Sequence, residues 1–238
     1  MSVVLLHGFT QTRQSWRRTV AALGGRYRAI APDLPGHGSA SQRRPASFSA
    51  AVAYVRAIGG EDFALAGYSM GGRIALCAAL ALPEQVRRLV LVGASPGLGD
   101  PAERAARRRA DDELADRIEA IGIEAFAREW GAQELFAGQE ERVAAAAHAD
   151  RLRNDPAGLA AALRGLGTGV MEPLWDRLGE LAVPVTLVVG ERDGKFTAIA
   201  DAMAARLADC RVVVVAGAGH AVHLERPDEV AAAIRDTP

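Results

Sequence analysis

Short apolar runs recur along the chain, and longer stretches with helical periodicity separate most of them. Each run is followed within two residues by glycine or proline, which is typical of a strand buried on both faces of a parallel sheet. We therefore expect an α/β fold with a mostly parallel sheet of about six strands, covered by helices on both faces. The predicted strands are Val3–Leu6, Tyr27–Ala31, Phe63–Ala66, Leu89–Val92, Val185–Val189 and Val212–Val215.

The segments between these strands carry the start and stop signals of helices. Gly24-Gly25 ends the first of them and Pro83 ends the third, because glycine and proline both disfavour the continuation of a helix. The predicted helices are Arg13–Leu23, Phe48–Ile58, Met70–Leu82 and Ala221–Arg235.

Residues 96–179 break the alternation of strands and helices. This stretch contains no good strand and is rich in Ala, Glu and Arg, so it indicates several consecutive helices, with Ala102–Ala120 among them. A helical block between two sheet strands predicts an insertion that lies over the sheet as a cap. We expect residues 1–238 to form a single domain with this insertion, since 238 residues lies within the size range of one α/β domain.

Composition and charge exclude several classes of protein. Apolar residues make up 50% and charged residues 24% of the chain, and the net charge of −1 offers no bulk attraction to nucleic acid or to an anionic membrane. No signal sequence and no apolar run of membrane-spanning length is visible, so we expect a cytoplasmic protein. Cys77 and Cys210 fit neither a metal site nor a disulfide framework, and no metal is expected.

Gly67-Tyr68-Ser69-Met70-Gly71 matches the pattern G-x-S-x-G between a predicted strand and a predicted helix. This context is typical of a nucleophile elbow, a tight turn that exposes a strained serine at the edge of the sheet. The pattern alone is weak, because short glycine motifs recur by chance, and an ordinary turn serine is the alternative. Serine is a poor nucleophile or base by itself, so an active Ser69 needs a proton acceptor close by.

Asp193 and His220 follow Ser69 in the chain order that a catalytic triad of this kind requires. Each lies in a loop just beyond a predicted strand, and the carboxyl ends of parallel strands are where open α/β sheets place their sites. We expect His220 to take the Ser69 proton and Asp193 to orient the imidazole. Glu191 is the rival acid, and Asp193 is favoured because it lies deeper in the loop.

Backbone amides complete the predicted site. His7-Gly8-Phe9 follows the first strand, so the N–H groups of Phe9 and Met70 are the candidates for an oxyanion hole. A core aromatic is the plainer interpretation of the Phe9 side chain, and it is compatible with this role because the backbone would do the chemistry.

Arg73 lies four residues after Ser69 on the same predicted helix, which is otherwise apolar, so its side chain leans back toward the serine. A buried guanidinium is costly without an anion, and either a protein carboxylate or a substrate carboxylate could pair with it. Spacing alone leaves these two alternatives open. Most arginines of the stretch Arg104–Arg109 favour a solvated face balanced by nearby acids, and Arg153 has the same ambiguity.

Further stretches are more distinctive than the serine motif itself. They are Ser95-Pro96-Gly97-Leu98, Glu103–Asp111, Leu152-Arg153-Asn154, Gly190-Glu191-Arg192-Asp193-Gly194-Lys195-Phe196 and Gly217-Ala218-Gly219-His220-Ala221-Val222-His223. Together with the motifs above, they resemble the 2-succinyl-6-hydroxy-2,4-cyclohexadiene-1-carboxylate synthase family of menaquinone biosynthesis, a branch of the α/β-hydrolase superfamily. The resemblance runs over essentially the whole chain and implies the α/β-hydrolase fold.

The resemblance implies a lyase. Its substrate is 2-succinyl-5-enolpyruvyl-6-hydroxy-3-cyclohexene-1-carboxylate, from which a proton is removed and pyruvate leaves, with the Ser69–His220 pair as the base and with no cofactor. Three substrate carboxylates explain the arginines, because a guanidinium grips a carboxylate with two parallel hydrogen bonds. The substrate-binding residues that the resemblance implies are Tyr68, Arg73, Arg107, Trp130, Phe136 and Arg153, and Lys195 matches a lysine of the same motif.

The chain departs from the superfamily pattern at its start, and two alternative functions stay open. Superfamily members carry a hairpin of two strands before the His-Gly motif, which is missing here, so we expect lost stability rather than lost chemistry, offset by tight packing or dimerisation at that edge. A serine-nucleophile hydrolase that cuts an ester or a carbon–carbon bond is the first alternative. A non-catalytic binding module is the second, and the intact triad counts against it.

Overall fold

A computed structural model describes residues 1–25 and 27–236 of the chain. Its strands are β1 (Ser2–Leu6), β2 (Arg28–Ile30), β3 (Phe63–Tyr68), β4 (Val86–Val92), β5 (Val185–Gly190) and β6 (Cys210–Val215). Within the described residues they form one sheet in the order β2-β1-β3-β4-β5-β6, and every neighbouring pair is parallel. Parallel neighbours need crossover connections, which the helices between the strands provide.

Side chains along the central strands alternate between two apolar layers, because successive residues of a strand point to opposite faces. Val4 and Leu6 pack into one layer, and Val3 and Leu5 pack into the other. In chain order the α-helices are α1 (Arg17–Ala22), α2 (Phe48–Gly59), α3 (Met70–Ala81), α4 (Pro101–Gly131), α5 (Glu141–Arg151), α6 (Pro156–Leu166), α7 (Gly194–Ala204), α8 (Val222–Glu225) and α9 (Pro227–Asp236). None of these described helices is both long enough and apolar enough to span a membrane.

Two of the predicted helices differ from the observed ones. A single helix over Ala221–Arg235 is wrong, because the structure has α8 and α9 with a break at Arg226 (φ −136°, ψ 63°). The break has a local cause, since Pro227 follows and proline disfavours the α conformation of the residue before it. The helix predicted over Arg13–Leu23 begins as a 3₁₀ turn, Arg13–Trp16, before α1. Helix α7 is not singled out by the sequence pattern.

The chain between β4 and β5 contains α4 to α6 and no strand among its described residues. Helix α4 extends beyond the predicted Ala102–Ala120 as far as Gly131, and it bends at Gly122, whose φ of 75° lies in the left-handed region. Helices α4 and α6 share a small apolar core of their own, in which Phe126 is buried. Phe9, from the loop after β1, packs against this core, so the insertion lies over the carboxyl ends of the strands as a cap.

The strand order brings three loops together at one edge of the sheet. Ser69 follows β3, Asp193 lies in the loop after β5, and His220 lies in the loop after β6. Because the carboxyl ends of parallel strands meet at the same edge, residues that are far apart in the chain become neighbours there. This edge, beneath the cap, is where a functional site is expected in an open α/β sheet.

Candidate active site

Ser69 occupies the sharp turn between β3 and α3. Its φ of 50° and ψ of −108° lie in a region that residues with a side chain rarely adopt, so the backbone is strained there. The Ser69 N–H donates to the Val92 carbonyl (2.9 Å), and the Arg73 N–H donates to the Ser69 carbonyl (3.0 Å). These bonds hold the strained turn and present the hydroxyl at the sheet edge.

Glycines around the turn allow an approach of backbones that any side chain would prevent. A Cβ on Gly67 would overlap the carbonyl of Gly71, and a Cβ on Gly71 would overlap the carbonyl of Leu6. Helix α3 can therefore pack closely against β1 and β3 only with glycine at both positions. This is the physical requirement behind the G-x-S-x-G pattern.

His220 and Asp193 form a buried hydrogen-bonded pair. The His220 ring donates from Nδ1 to Asp193 Oδ2 at 2.6 Å, which leaves Nε2 as the free nitrogen of the ring. Glu191, the rival acid, is exposed, and its carboxylate accepts from the Gly217 N–H at 2.8 Å. The structure thus brings Asp193, and not Glu191, to the histidine.

A cavity of about 220 Å³ lies between the sheet edge and the cap. Ser69 and His220 both line it, without a direct hydrogen bond between their side chains in the part of the chain that the structure describes. Phe9 and Met70 lie on the same wall, and Met70 is the first residue of α3, so its N–H has no partner within the helix. The other lining residues are Arg73, Arg107, Trp130, Gln133, Leu135, Ala162, Leu163, Leu166, Gly167, Thr168, Lys195 and Phe196.

A neutral histidine holds the loop that carries the Phe9 amide. The His7 Nε2 accepts from the Leu34 N–H at 2.9 Å, so the ring proton is on Nδ1, which donates to the Gly8 carbonyl at 2.9 Å. Burial lowers the pKa of His7, which keeps the ring neutral and able to accept. The histidine of the His-Gly-Phe motif is therefore a structural support for this loop.

The charge on the cavity wall has one sign. Arg73, Arg107 and Lys195 line the cavity, and no Asp or Glu is among its described lining residues. Arg73 is buried, and burial together with the nearby Arg107 charge lowers the pKa of its guanidinium to about 10, so it stays protonated at neutral pH.

The surroundings of Arg73 distinguish between a protein carboxylate and an external anion as its partner. Its Nη1 donates to the Leu166 carbonyl at 2.7 Å, and among the described residues no carboxylate lies within ion-pair distance. The nearby Asp111 carboxylate is already paired with Arg107 Nε at 2.7 Å. Of the two partners that spacing left open for Arg73, the structure therefore favours an anion from outside the chain.

Two of the predicted substrate-binding residues come from α4. The ion pair of Arg107 with Asp111 holds the Arg107 guanidinium at the cavity. The Trp130 ring lies edge-on to the Phe9 ring, with 5.2 Å between the ring centres, and the two form an aromatic wall. The structure brings both α4 residues to the cavity that Ser69 lines.

Three other predicted residues do not line this cavity. Tyr68 is buried, and its ring lies 5.2 Å from the His220 ring, so it contacts the histidine from outside the cavity. Phe136 lines a separate cavity whose described lining residues, Arg151 among them, all belong to the cap. The Arg153 side chain is 60% exposed and lines a surface groove, so the structure does not bring it to Ser69. The cause is local, because α5 ends just before Arg153 and the chain turns there.

A buried arginine that the sequence pattern does not distinguish lies at the end of α5. Arg151 is 5% exposed, its guanidinium lies 5.1 Å from the Phe136 ring centre, and burial lowers its pKa. Its Nε has no hydrogen-bond partner, and no ion pair with a carboxylate forms within the described ranges. Other cavity residues without a distinguishing local signal are Gln133, Leu135, Ala162, Leu163, Leu166 and Thr168.

Known proteins are similar to this chain in sequence and in fold. The sequence profile of the alpha/beta hydrolase family matches residues 3–233. The chain belongs to the alpha/beta hydrolase family. A Bacillus subtilis member, provisionally named 2-succinyl-6-hydroxy-2,4-cyclohexadiene-1-carboxylate synthase, is 40% identical over 238 residues, which cover 95% of this chain and 86% of that protein. A Salmonella paratyphi A member with the same synthase name is 34% identical over 230 residues, covering 95% and 89%.

Solved structures of alpha/beta hydrolase members also match. The structure of MenH from S. aureus has a TM-score of 0.91 and 32% identity, and the match covers 99% of this chain and 92% of that chain. A thermophilic esterase from Thermogutta terrifontis has a TM-score of 0.82 and 28% identity, covering 99% and 88%. Because both matches extend over nearly all of this chain, the likeness includes the cap as well as the sheet.

Proposed function

We propose that this chain eliminates pyruvate from 2-succinyl-5-enolpyruvyl-6-hydroxy-3-cyclohexene-1-carboxylate, giving 2-succinyl-6-hydroxy-2,4-cyclohexadiene-1-carboxylate in menaquinone biosynthesis. The observation that supports it best is the cavity of Ser69 and His220, which is lined by Arg73, Arg107 and Lys195 and by no described carboxylate. Three substrate carboxylates match these cations. The names of the two relatives, both 2-succinyl-6-hydroxy-2,4-cyclohexadiene-1-carboxylate synthases, suggest that the anion bound by these cations is the substrate of that synthase. The proposal includes a cytoplasmic location and no nucleic-acid partner.

In the proposed reaction, Ser69 and His220 act as the base and Asp193 orients the imidazole. The ring carbon beside the succinyl ketone loses its proton to this pair, and the electrons of the broken C–H bond move into an enolate oxygen. The N–H groups of Phe9 and Met70 stabilise that oxygen. The electrons then shift through the existing ring double bond to give the diene, and the ether C–O bond breaks. The released enolpyruvate takes up a proton and becomes pyruvate.

A serine-nucleophile hydrolase is the second candidate. The strained Ser69 and the Asp193–His220 pair suit it, and the Thermogutta terrifontis esterase shares the fold. A simple ester offers no carboxylates to the cations of the cavity, which is why the elimination is favoured. A covalent acyl-Ser69 species, trapped with substrate and detected by mass spectrometry, would decide for the hydrolase.

Pyruvate release from the enolpyruvyl cyclohexene substrate, coupled to lactate dehydrogenase, tests the proposed function directly. We expect rapid release by the wild-type chain and release about 10³-fold slower by Ser69→Ala at the same concentration. If folded wild-type protein releases no pyruvate and cleaves simple aryl esters instead, the lyase proposal is wrong. The hydrolase then takes its place.

We propose Arg151, rather than Arg153, as a further anion-binding side chain, with a carboxylate of the bound substrate reaching the cavity that Arg151 shares with Phe136. Arg151→Ala is expected to lower kcat/KM for the tricarboxylate substrate about tenfold, which is the size of one lost hydrogen bond to a charged group. Arg153→Ala serves as the matched control and is expected to stay within about twofold of wild type, because the Arg153 side chain is 60% exposed and its ion pair with Asp150 is long, at 3.8 Å, so it contributes little. Steady-state measurement of kcat/KM for both variants shows which of the two arginines contributes to substrate binding. A larger loss in Arg153→Ala would contradict the assignment.

A further inference from the structure

A buried carboxylate lies beside the triad without being part of it. Glu225 is the last residue of α8, and its side chain is only 3% exposed. The carboxylate accepts from the Gly219 N–H (2.9 Å), from the Arg192 guanidinium (3.0 Å) and from the Gln139 side-chain amide (3.4 Å). Gly219 directly precedes His220, so Glu225 holds the loop that carries the triad histidine.

Arg192 joins the same carboxylate to two further segments. It directly precedes Asp193, and its backbone N–H donates to the Ala218 carbonyl at 2.9 Å, which binds the loop of the acid to the loop of the histidine. Its guanidinium reaches Glu225 through Nη2 and the Gly138 carbonyl through Nη1 at 2.9 Å. Through its backbone and its side chain together, Arg192 therefore links the acid loop, the histidine loop and the cap.

The cap residues that the pair reaches lie in the cap loop, which we define as residues 132–140 between α4 and α5. This loop carries Gln133 and Leu135, which line the triad cavity. A second cavity of about 320 Å³ lies between the cap loop and the triad loops, and Leu135, Arg192 and His220 all line it. Because this space is not filled by packed side chains, the cap loop has fewer apolar contacts there, and polar links such as the Arg192–Gly138 hydrogen bond matter more for its position.

We propose that Arg192 and Glu225 are positioning residues, and that their ion pair couples the cap loop to the two triad loops. The inference rests on the proposed function only for its kinetic readout. Without the Arg192 guanidinium, the buried carboxylate loses its cation and the cap loop loses its contact at Gly138. Without the Glu225 charge, the Gly219 N–H loses a charge-assisted acceptor and the histidine loop loosens.

Loss of the Glu225 charge and loss of the Arg192 guanidinium are expected to have different kinetic effects. Glu225→Gln keeps the size of the side chain and one acceptor oxygen, and it is expected to lower kcat about tenfold with little change in KM, because displaced reacting groups slow the chemical step. Arg192→Ala removes both the cation opposite Glu225 and the hydrogen bond to the Gly138 carbonyl. KM is therefore expected to rise as well, since the cap loop lines the cavity. Arg192→Lys restores a cation opposite Glu225 without reaching Gly138 at the same time, so it is expected to rescue kcat more than KM.

Arg226→Ala is the matched control. Arg226 also links the C-terminal helices to the cap, through Glu140 at 3.3 Å. Its guanidinium donates to the Glu225 backbone carbonyl at 2.9 Å, but among the described residues it makes no hydrogen bond to the Glu225 carboxylate or to either triad loop. We expect its kcat and KM to stay within about twofold of wild type, because the pair is exposed. Losses in Arg226→Ala as large as those in Arg192→Ala would overturn the coupling, because any cap contact would then have the same effect.

Hydrogen–deuterium exchange provides a readout that needs no substrate. The amides of the cap loop are expected to exchange faster in Arg192→Ala than in wild type, and the Gly219 segment is expected to exchange faster in both Arg192→Ala and Glu225→Gln. Unchanged exchange in folded variants overturns the proposal, and so does faster exchange with wild-type kinetics. If Arg192→Ala does not fold, Arg192→Lys is measured in its place. If the wild-type chain releases no pyruvate, the proposed function is wrong. The exchange rates of the variants then test by themselves whether the ion pair couples the cap loop to the triad loops.

Discussion

Ser69→Ala is expected to lower kcat for pyruvate release by about 10³-fold, which lies within the range for loss of a positioned proton-transfer group. Alanine removes the hydroxyl that would pass the substrate proton to His220, while the Phe9 and Met70 amides and the cavity cations stay in place. KM is therefore expected to change far less than kcat. Stopped-flow or coupled measurement of pyruvate with saturating substrate gives the ratio.

A serine outside the site controls for this experiment. Ser49 is an exposed serine on α2, away from the cavity, and Ser49→Ala is expected to keep wild-type kcat. Thermal unfolding of Ser69→Ala should match wild type closely, because the Ser69 hydroxyl is only partly buried and makes no hydrogen bond to the residues that the structure describes. A folded Ser69→Ala protein with near wild-type kcat would exclude Ser69 from the chemistry and leave its strained backbone without a catalytic explanation.

Arg73→Ala is expected to lower kcat/KM for the tricarboxylate substrate about 100-fold, since a bidentate pair to a buried guanidinium is worth roughly two charge-assisted hydrogen bonds. The loss should appear in both kcat and KM, because Arg73 lies next to Ser69 and positions the reacting end of the substrate. Steady-state kinetics with the purified variant give both values.

Two controls separate the charge of Arg73 from its structural contact with the Leu166 carbonyl. Arg73→Lys keeps the charge without the planar fork, so its kcat/KM should fall between those of wild type and Arg73→Ala. Added guanidinium ion can enter the space left by the removed side chain and should restore part of the activity of Arg73→Ala. Unchanged kinetics in Arg73→Ala would mean that Arg73 serves the fold alone, through its bond to Leu166.

The parts of the site that could be predicted from the sequence are those marked by neighbouring residues in the chain. Ser69 is marked by glycines that a close-packed turn requires, and those glycines do lie where a Cβ would overlap backbone atoms. Asp193 and His220 are marked by the ends of two apolar strands, and parallel strands bring such ends to one edge. Pro227 was a local signal for the break between α8 and α9 as well. It was outweighed by the helical periodicity of the apolar residues around it, which led to the prediction of one continuous helix.

In the cap, neighbouring residues in the chain did not indicate which side chains are buried. Arg151 and Arg153 flank a single leucine and look alike in the sequence, yet one is 5% exposed and the other has a side chain that is 60% exposed. The difference depends on where α5 ends and on how Phe136 packs against it. Spacing also left the partner of Arg73 open, and only the pairing of Asp111 with Arg107 showed that no described carboxylate serves it.

The sequence by itself therefore determined the sheet, the strained serine turn and the strand ends that carry Asp193 and His220, because each depends on backbone sterics and on periodicity within a short stretch. The tertiary structure alone decided which arginines face the cavity and how Glu225 and Arg192 join the cap loop to the loops of Asp193 and His220. It also brought Asp193, the acid that the sequence favoured over Glu191, to His220. Those contacts join segments that are distant in the chain, so their free energies depend on packing and on charge pairing that no local pattern encodes.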